Sequence, residues 1–137
     1  FARFPRIKQY IADAIAKARV DRSVSTMLGR RRLLPDLQSQ HHGLRAAAER
    51  IAINAPLQGS AADLIKLAMV RVAQRIDERR LPAQLLLQVH DELIFEVEPS
   101  SLEPLRDEVR TAMEGAMDLR VPLVVDFKTG PSWGDMA

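Results

Sequence analysis

Three consecutive polar residues, His90, Asp91 and Glu92, interrupt an apolar stretch that reads LLLQVHDELIFEV over residues 85–97. Two adjacent carboxylates on a short turn repel each other unless a cation or a hydrogen-bond donor sits with them. Hard divalent cations take such oxygen ligands, and Mg²⁺ commonly uses one or two protein carboxylates together with substrate phosphates. Exposed carboxylates are also the norm at protein surfaces. The pair alone therefore leaves two possibilities open, a metal-binding tip and a solvated one. A second set is spaced by four: Arg50, Asn54 and Gln58. On a helix this spacing puts them on one face, although Pro56 weakens the statement for Gln58. All three carry hydrogen-bond donors on an otherwise apolar segment. They suit a ligand rich in acceptors, or else helix capping and core hydrogen bonds around Pro56.

The elements that must carry these residues follow from periodicity. Leu85, Leu87 and Val89 alternate with Leu86, Gln88 and His90, and Leu93, Phe95 and Val97 alternate with Ile94 and Glu96. Period two on both arms predicts an antiparallel hairpin with Asp91 and Glu92 at its tip. The tip contains no Gly, Asn-Gly or Pro, so it is not chosen for easy backbone geometry. Upstream, Phe4, Ile7, Tyr10, Ile11, Ala14, Ile15 and Ala18 follow helical spacing over residues 4–19, with Lys17 and Arg19 suiting the negative end of that helix. Val24, Thr26 and Leu28 alternate as a short strand before Gly29. A helix is expected from Leu44 with Ala47, Ala48 and Ile51 on one face, broken at Pro56. A second should begin at Ser60, with Asp63 near its N-terminus and Leu64, Ile65, Ala68, Val72 and Ile76 buried. Pro82 ends it. Ser100 and Ser101 offer an N-cap to a third helix marked by Leu102, Leu105, Val109 and Met113, and residues 121–127 read as a last strand beside the hairpin. The sum is an α+β layer, an antiparallel sheet covered by helices.

At 137 residues the chain is one domain's worth, with 47% apolar and 28% charged residues, which excludes wholesale disorder. Cysteine is absent, so disulfides and thiolate zinc sites are excluded and a reducing cytoplasm is compatible. No apolar run approaches the roughly 18 residues that span a bilayer. Net charge is +2, but residues 1–32 hold nine Lys/Arg against Asp13 and Asp21, whereas residues 99–137 are acidic on balance. A basic end suits a polyanion. Arg30, Arg31 and Arg32 could meet phosphates, but three adjacent side chains cannot all face one surface. His41 and His42 have no carboxylate at ligand spacing, which argues against a metal there. The start, FARFPRIKQY, is neither a signal peptide nor an initiator Met, as expected of a piece of a longer chain.

Four blocks, in order, and the C-terminal run after them resemble family A DNA polymerases of the bacterial DNA polymerase I type. FARFPRIKQY is similar to an FxRFPxIxxY pattern, TMLGRRRLLPDL to a TLxGRRRxLPDI stretch, and RIAINAPLQGSAAD to RxxINxPxQGTAAD with Ser60 in place of Thr. QVHDELIFEV resembles the segment that carries a catalytic carboxylate, and VPLVVDFKTGPSWGDMA resembles the family's end, with Ser132 where Asn is usual. The resemblance implies part of a right-hand polymerase fold, with residues 1–43 the end of the fingers and 44–137 the C-terminal part of the palm. It implies template-directed DNA synthesis in the bacterial cytoplasm, with primer-template DNA and deoxynucleoside triphosphates as partners, no membrane and no obligate oligomer.

The same resemblance makes Asp91 and Glu92 ligands of a two-Mg²⁺ site, with Asp91, Glu92 and His90 catalytic. Arg50, Asn54 and Gln58 become DNA-binding residues at the minor groove of the primer end. Groove acceptors there occur in every Watson–Crick pair, so donors test geometry without reading sequence. No segment among these residues resembles the one that carries the family's first metal-binding aspartate, or its nucleotide-holding helix, so the chain alone is expected to be inactive. A single-subunit RNA polymerase shares a His-Asp motif and is the near alternative, against which Glu92 and the AINAPLQGSAAD block argue. A nucleic-acid-binding module without chemistry, using residues 1–32, is the alternative from another class.

Overall fold

The computed structural model describes residues 3–136; Phe1 of the FARFPRIKQY run and Ala137 at the other end lie outside them. Two compact units divide the chain at Asp63/Leu64. One helix supplies elements to both.

In the first unit, α1 runs Pro5–Asp21. Pro5 opens it at a position where its missing N–H costs nothing. Arg22 closes it in the left-handed region, φ 51°. A two-stranded ribbon follows, β1 Ser23–Ser25 against β2 Arg31–Leu33, with Val24 opposite Arg32. The expected strand through Thr26 and Leu28 is thus shorter. Thr26 instead closes a turn, accepting from Gly29 N at 2.9 Å, and Gly29 takes φ 83°, which glycine tolerates without a Cβ penalty. A 3-10 turn, Pro35–Gln38, leads into α2, His42–Arg79. The unit's core is Ala18, Leu34, Leu37, Ala48 and Ala52, with Val24 and Ile51 packed on it.

The break expected at Pro56 does not occur. α2 is a single helix of 38 residues with Pro56 inside it. An interior proline removes one backbone hydrogen bond and crowds the carbonyl four residues earlier, at a cost of about 3 kcal/mol. Two side chains support the carbonyls around the interruption. Tyr10 Oη donates to Ile53 O at 3.2 Å, and Ser60 Oγ donates to Pro56 O at 2.6 Å. Ser60 is therefore no helix start, and Asp63 lies mid-helix rather than in a first turn.

The second unit takes α2 from Leu64 onward. Ile65, Ala68, Val72 and Ile76 are buried, as their spacing predicts, while Leu64 is only half-buried. The helix ends before Pro82. Leu81 N bonds Ile76 O at 3.0 Å and Arg80 N bonds Asp77 O at 3.1 Å, with Arg80 at φ 50°. That is a Schellman ending built on Arg where Gly is usual. The hairpin comes next, β3 Ala83–Val89 and β4 Glu92–Val97, then a 3-10 turn Pro99–Ser101 and α3 Leu102–Glu114. Ser101 occupies the N-cap position of α3 without a side-chain capping bond, so the expected serine cap does not form. Val72, Ile76, Leu105, Val109 and Ala112 make the core, and Phe95, Val97 and Phe127 pack against it.

The last expected strand is also corrected. Residues 121–127 form no ladder among the described residues, and the two ribbons are separate two-stranded sheets. Period-two burial survives, with Leu123, Val125 and Phe127 turned inward. The strand fails for two reasons. Pro122 has no N–H to give, and Val125 N donates to the Glu114 carboxylate at 3.1 Å instead of to a neighbouring strand. Phe127 is fixed by its ring, with Arg106 and Arg110 guanidinium carbons 5.3 and 5.2 Å from its centroid.

Candidate functional site

Val89 and Glu92 are the last paired residues of the hairpin, so His90 and Asp91 alone form its loop. Asp91 is at the tip, as expected, but Glu92 is the first residue of β4. His90 takes φ 55°, the left-handed conformation that two-residue hairpin loops demand. Gln88 Nε2 donates to His90 O at 2.7 Å and braces the loop from inside. His90, Asp91 and Glu92 are all exposed. Among the described residues, neither carboxylate accepts a hydrogen bond or forms an ion pair. β3 carries a bulge at Leu86, between the pairs Leu85–Phe95 and Leu87–Ile94; Phe95 and Val97 pack against the core, and Ile94 is buried. The stem is thus anchored to the core through Phe95, Val97 and Ala83, while Leu86 and Leu87 of β3 stay exposed.

The donors Arg50, Asn54 and Gln58 lie in the first unit, on the uninterrupted part of α2 that spans Pro56. Because the helix continues, all three share one side of it, and all three are exposed. None makes a hydrogen bond among the described residues, so they neither cap a helix end nor satisfy the core. Leu57, 60% exposed, lies beside them. Gln58 also lines a shallow cleft with Thr26, Arg30, Arg32, Ala55 and Gly59.

Sequence spacing did not reveal what holds this cleft together. Arg30 Nε donates to Asp63 Oδ1 at 2.8 Å, and the same guanidinium donates to Gly59 O at 3.1 Å. Arg31 donates to Ser23 Oγ at 2.8 Å and to Asp21 O at 3.2 Å; all three arginines are exposed, and Arg32 is the member of the triplet without a side-chain bond among the described residues. Partners more than 20 residues apart carry no local signal. The one clue was Gly59: a Cβ there would stand 2.6 Å from Thr26 Cγ2, so a glycine is what allows the ribbon loop to touch the helix.

The family description DNA polymerase family A matches residues 1–135. The chain belongs to DNA polymerase family A. Its sequence is 50% identical over 135 residues to DNA polymerase I of Geobacillus stearothermophilus, covering 98% of this chain and 15% of that protein. It is likewise 50% identical over 133 residues to DNA polymerase I of Mycobacterium tuberculosis, covering 97% of this chain and 15% of the relative. Among solved structures, the POL domain of Pol1 from M. smegmatis, in complex with DNA primer-template and dNTP, matches with a TM-score of 0.89 at 50% identity. That match covers 90% of this chain and 22% of the other. The chain therefore spans about 15% of the length of the curated relatives it matches. As a family A member it has the expected α+β character, helices with small antiparallel ribbons.

Proposed function

We propose that this chain supplies part of the catalytic apparatus of a DNA-directed DNA polymerase, which adds deoxynucleotides to a primer 3′-OH on a DNA template. In this proposal residues 1–43 end the fingers and residues 44–137 form the C-terminal palm, working in the bacterial cytoplasm near the nucleoid. The observation that carries it is the hairpin loop. An exposed carboxylate pair without protein partners stands on a braced stem, beside an imidazole whose backbone is held left-handed.

The donor set fits Mg²⁺ of the kind that reaches the protein with substrate phosphates. Among the described residues no group of three or more His, Asp or Glu stands ready to hold a metal. Two adjacent carboxylates match an ion that keeps one or two protein ligands and takes the rest from water and phosphate. Asp91 would be the ligand, with Glu92, one residue into β4, binding more loosely or shaping the site. When bound, a Mg²⁺ pair lowers the pKa of the attacking hydroxyl and stabilises charge on the leaving pyrophosphate. His90, at the loop, would contact the primer terminus. Arg50, Asn54 and Gln58 would present donors to the minor-groove acceptors at the primer end. Correct geometry is rewarded there whatever the sequence, because purine N3 and pyrimidine O2 are present in every matched pair.

The test is Asp91→Asn in the full-length protein that carries this chain. Incorporation should fall by on the order of 10²–10³-fold, the scale on which a lost charge-stabilising group reduces turnover. Primer-template affinity should stay within about twofold, since it rests mainly on phosphate contacts elsewhere. Near-normal incorporation at ordinary Mg²⁺ would remove Asp91 from the site.

A further inference from the structure

We infer that Arg30 is a positioning residue for Gln58: the loop Thr26–Arg30 sets the helical turn from which Gln58 meets the primer end. The inference rests on the minor-groove role proposed above and adds a residue that acts through it.

The need for such a device comes from Pro56. Asn54 and Gln58 stand on either side of a residue that cannot donate to the helix, so Ala52 O loses its usual partner. A turn weakened this way is free to shift its side chains unless something outside the helix fixes it. On the Asn54 side, Tyr10 Oη grips Ile53 O. On the Gln58 side, three residues of one short loop make contact. Arg30 bonds both the Asp63 carboxylate, which is buried, and the Gly59 carbonyl, which directly follows Gln58. Met27 N donates to Ser60 Oγ at 2.9 Å, and that hydroxyl in turn donates to Pro56 O. The Thr26 methyl lies 2.6 Å from where a Cβ on Gly59 would stand. Residues 59, 60 and 63 are tied to the loop directly and Pro56 through Ser60, and Gln58 is carried between them. The guanidinium suits this task because its planar fork can engage a carboxylate and a carbonyl together. Lysine has three donors on one compact ammonium but no rigid fork, so it holds the two acceptors less firmly.

A double-mutant cycle in the full-length polymerase tests this, reading single-turnover extension from matched and mismatched primer ends. Gln58→Ala should narrow the matched-to-mismatched ratio by about tenfold, the scale of one lost donor. Arg30→Gln should narrow the ratio by about fivefold in the parent and by less than twofold in the Gln58→Ala background, because the two act through one contact. Arg30→Lys should fall between parent and Arg30→Gln, and it serves as the cycle partner if Arg30→Gln does not fold.

Equal losses from Arg30→Gln in both backgrounds would overturn the inference, as would an unchanged ratio in the parent. So would a drop of about one in the salt slope of primer-template binding on Arg30→Gln, which would make Arg30 a phosphate contact. If Gln58→Ala alone leaves the ratio unchanged, the minor-groove role itself fails and the positioning role falls with it. That result is distinct from a failure at Arg30 only.

Discussion

At His90 the backbone adopts a conformation that glycine enters without penalty and that costs an L-residue about 1–2 kcal/mol. A hairpin selected for stability alone would place Gly or Asn there. The cost therefore marks a position where the side chain matters more than the turn. His90→Gly should stabilise the loop by about 0.5–1 kcal/mol, the relief being offset in part by the greater freedom of glycine in the unfolded chain. In the full-length protein, the amides of Val89 and Glu92 should exchange more slowly with deuterium, while primer extension falls. Faster exchange would mean that the imidazole itself supports the hairpin, and a stabilised variant with full activity would leave the strain without a functional reason. The unusual tip was legible in the sequence from what it lacked. That Glu92 belongs to the strand was not, because the pairing of Val89 with Glu92 depends on a loop only two residues long.

At the scale of elements, periodicity located the helices and both arms of the hairpin, although Phe4, Ile7 and Tyr10 of the stripe expected on α1 are exposed and only Ala18 of it is buried; it failed where one side chain overrode a local rule. Pro56 reads as a helix end, yet the serine hydroxyl and tyrosine phenol beside it support the neighbouring carbonyls and the helix passes through. Residues 121–127 read as a strand, yet a glutamate side chain takes the donor that a ladder would use. Neither event is visible without knowing which residues meet in space. The end of α2 shows a device of the same kind. Arg80 holds the left-handed position of a Schellman ending, is exposed, and makes no side-chain bond among the described residues. Arg80→Gly should therefore stabilise this ending by about 0.5–1 kcal/mol. Slower hydrogen exchange over the last turn of α2 would bear this out. Faster exchange would show that the long arginine side chain contributes packing that its exposure conceals.

For the whole molecule, the four sequence blocks identified the family, but the structure adds what each block is able to do by itself. Each unit has its own small core, five buried residues apiece, and the carboxylate hairpin belongs wholly to the second. Two-metal phosphoryl transfer needs ligands that fix both ions about 3.5–4 Å apart. The described residues offer only the adjacent pair Asp91 and Glu92, with no third carboxylate or imidazole grouped at metal-binding distance. A pair of this kind can hold one hard cation weakly, with water filling its other positions, and cannot define two. The 137-residue chain by itself is therefore expected to bind Mn²⁺, used as a paramagnetic stand-in for Mg²⁺, with a dissociation constant in the millimolar range. Binding should weaken on Asp91→Asn as broadening of the Val89 and Glu92 amide signals is lost. It is also expected to give no template-dependent incorporation at any Mg²⁺ concentration. Incorporation by the chain, abolished by Asp91→Asn and so not owed to a contaminating polymerase, would mean that two carboxylates suffice. Micromolar binding would mean that a third ligand joins them, and the site would have to be redrawn around it.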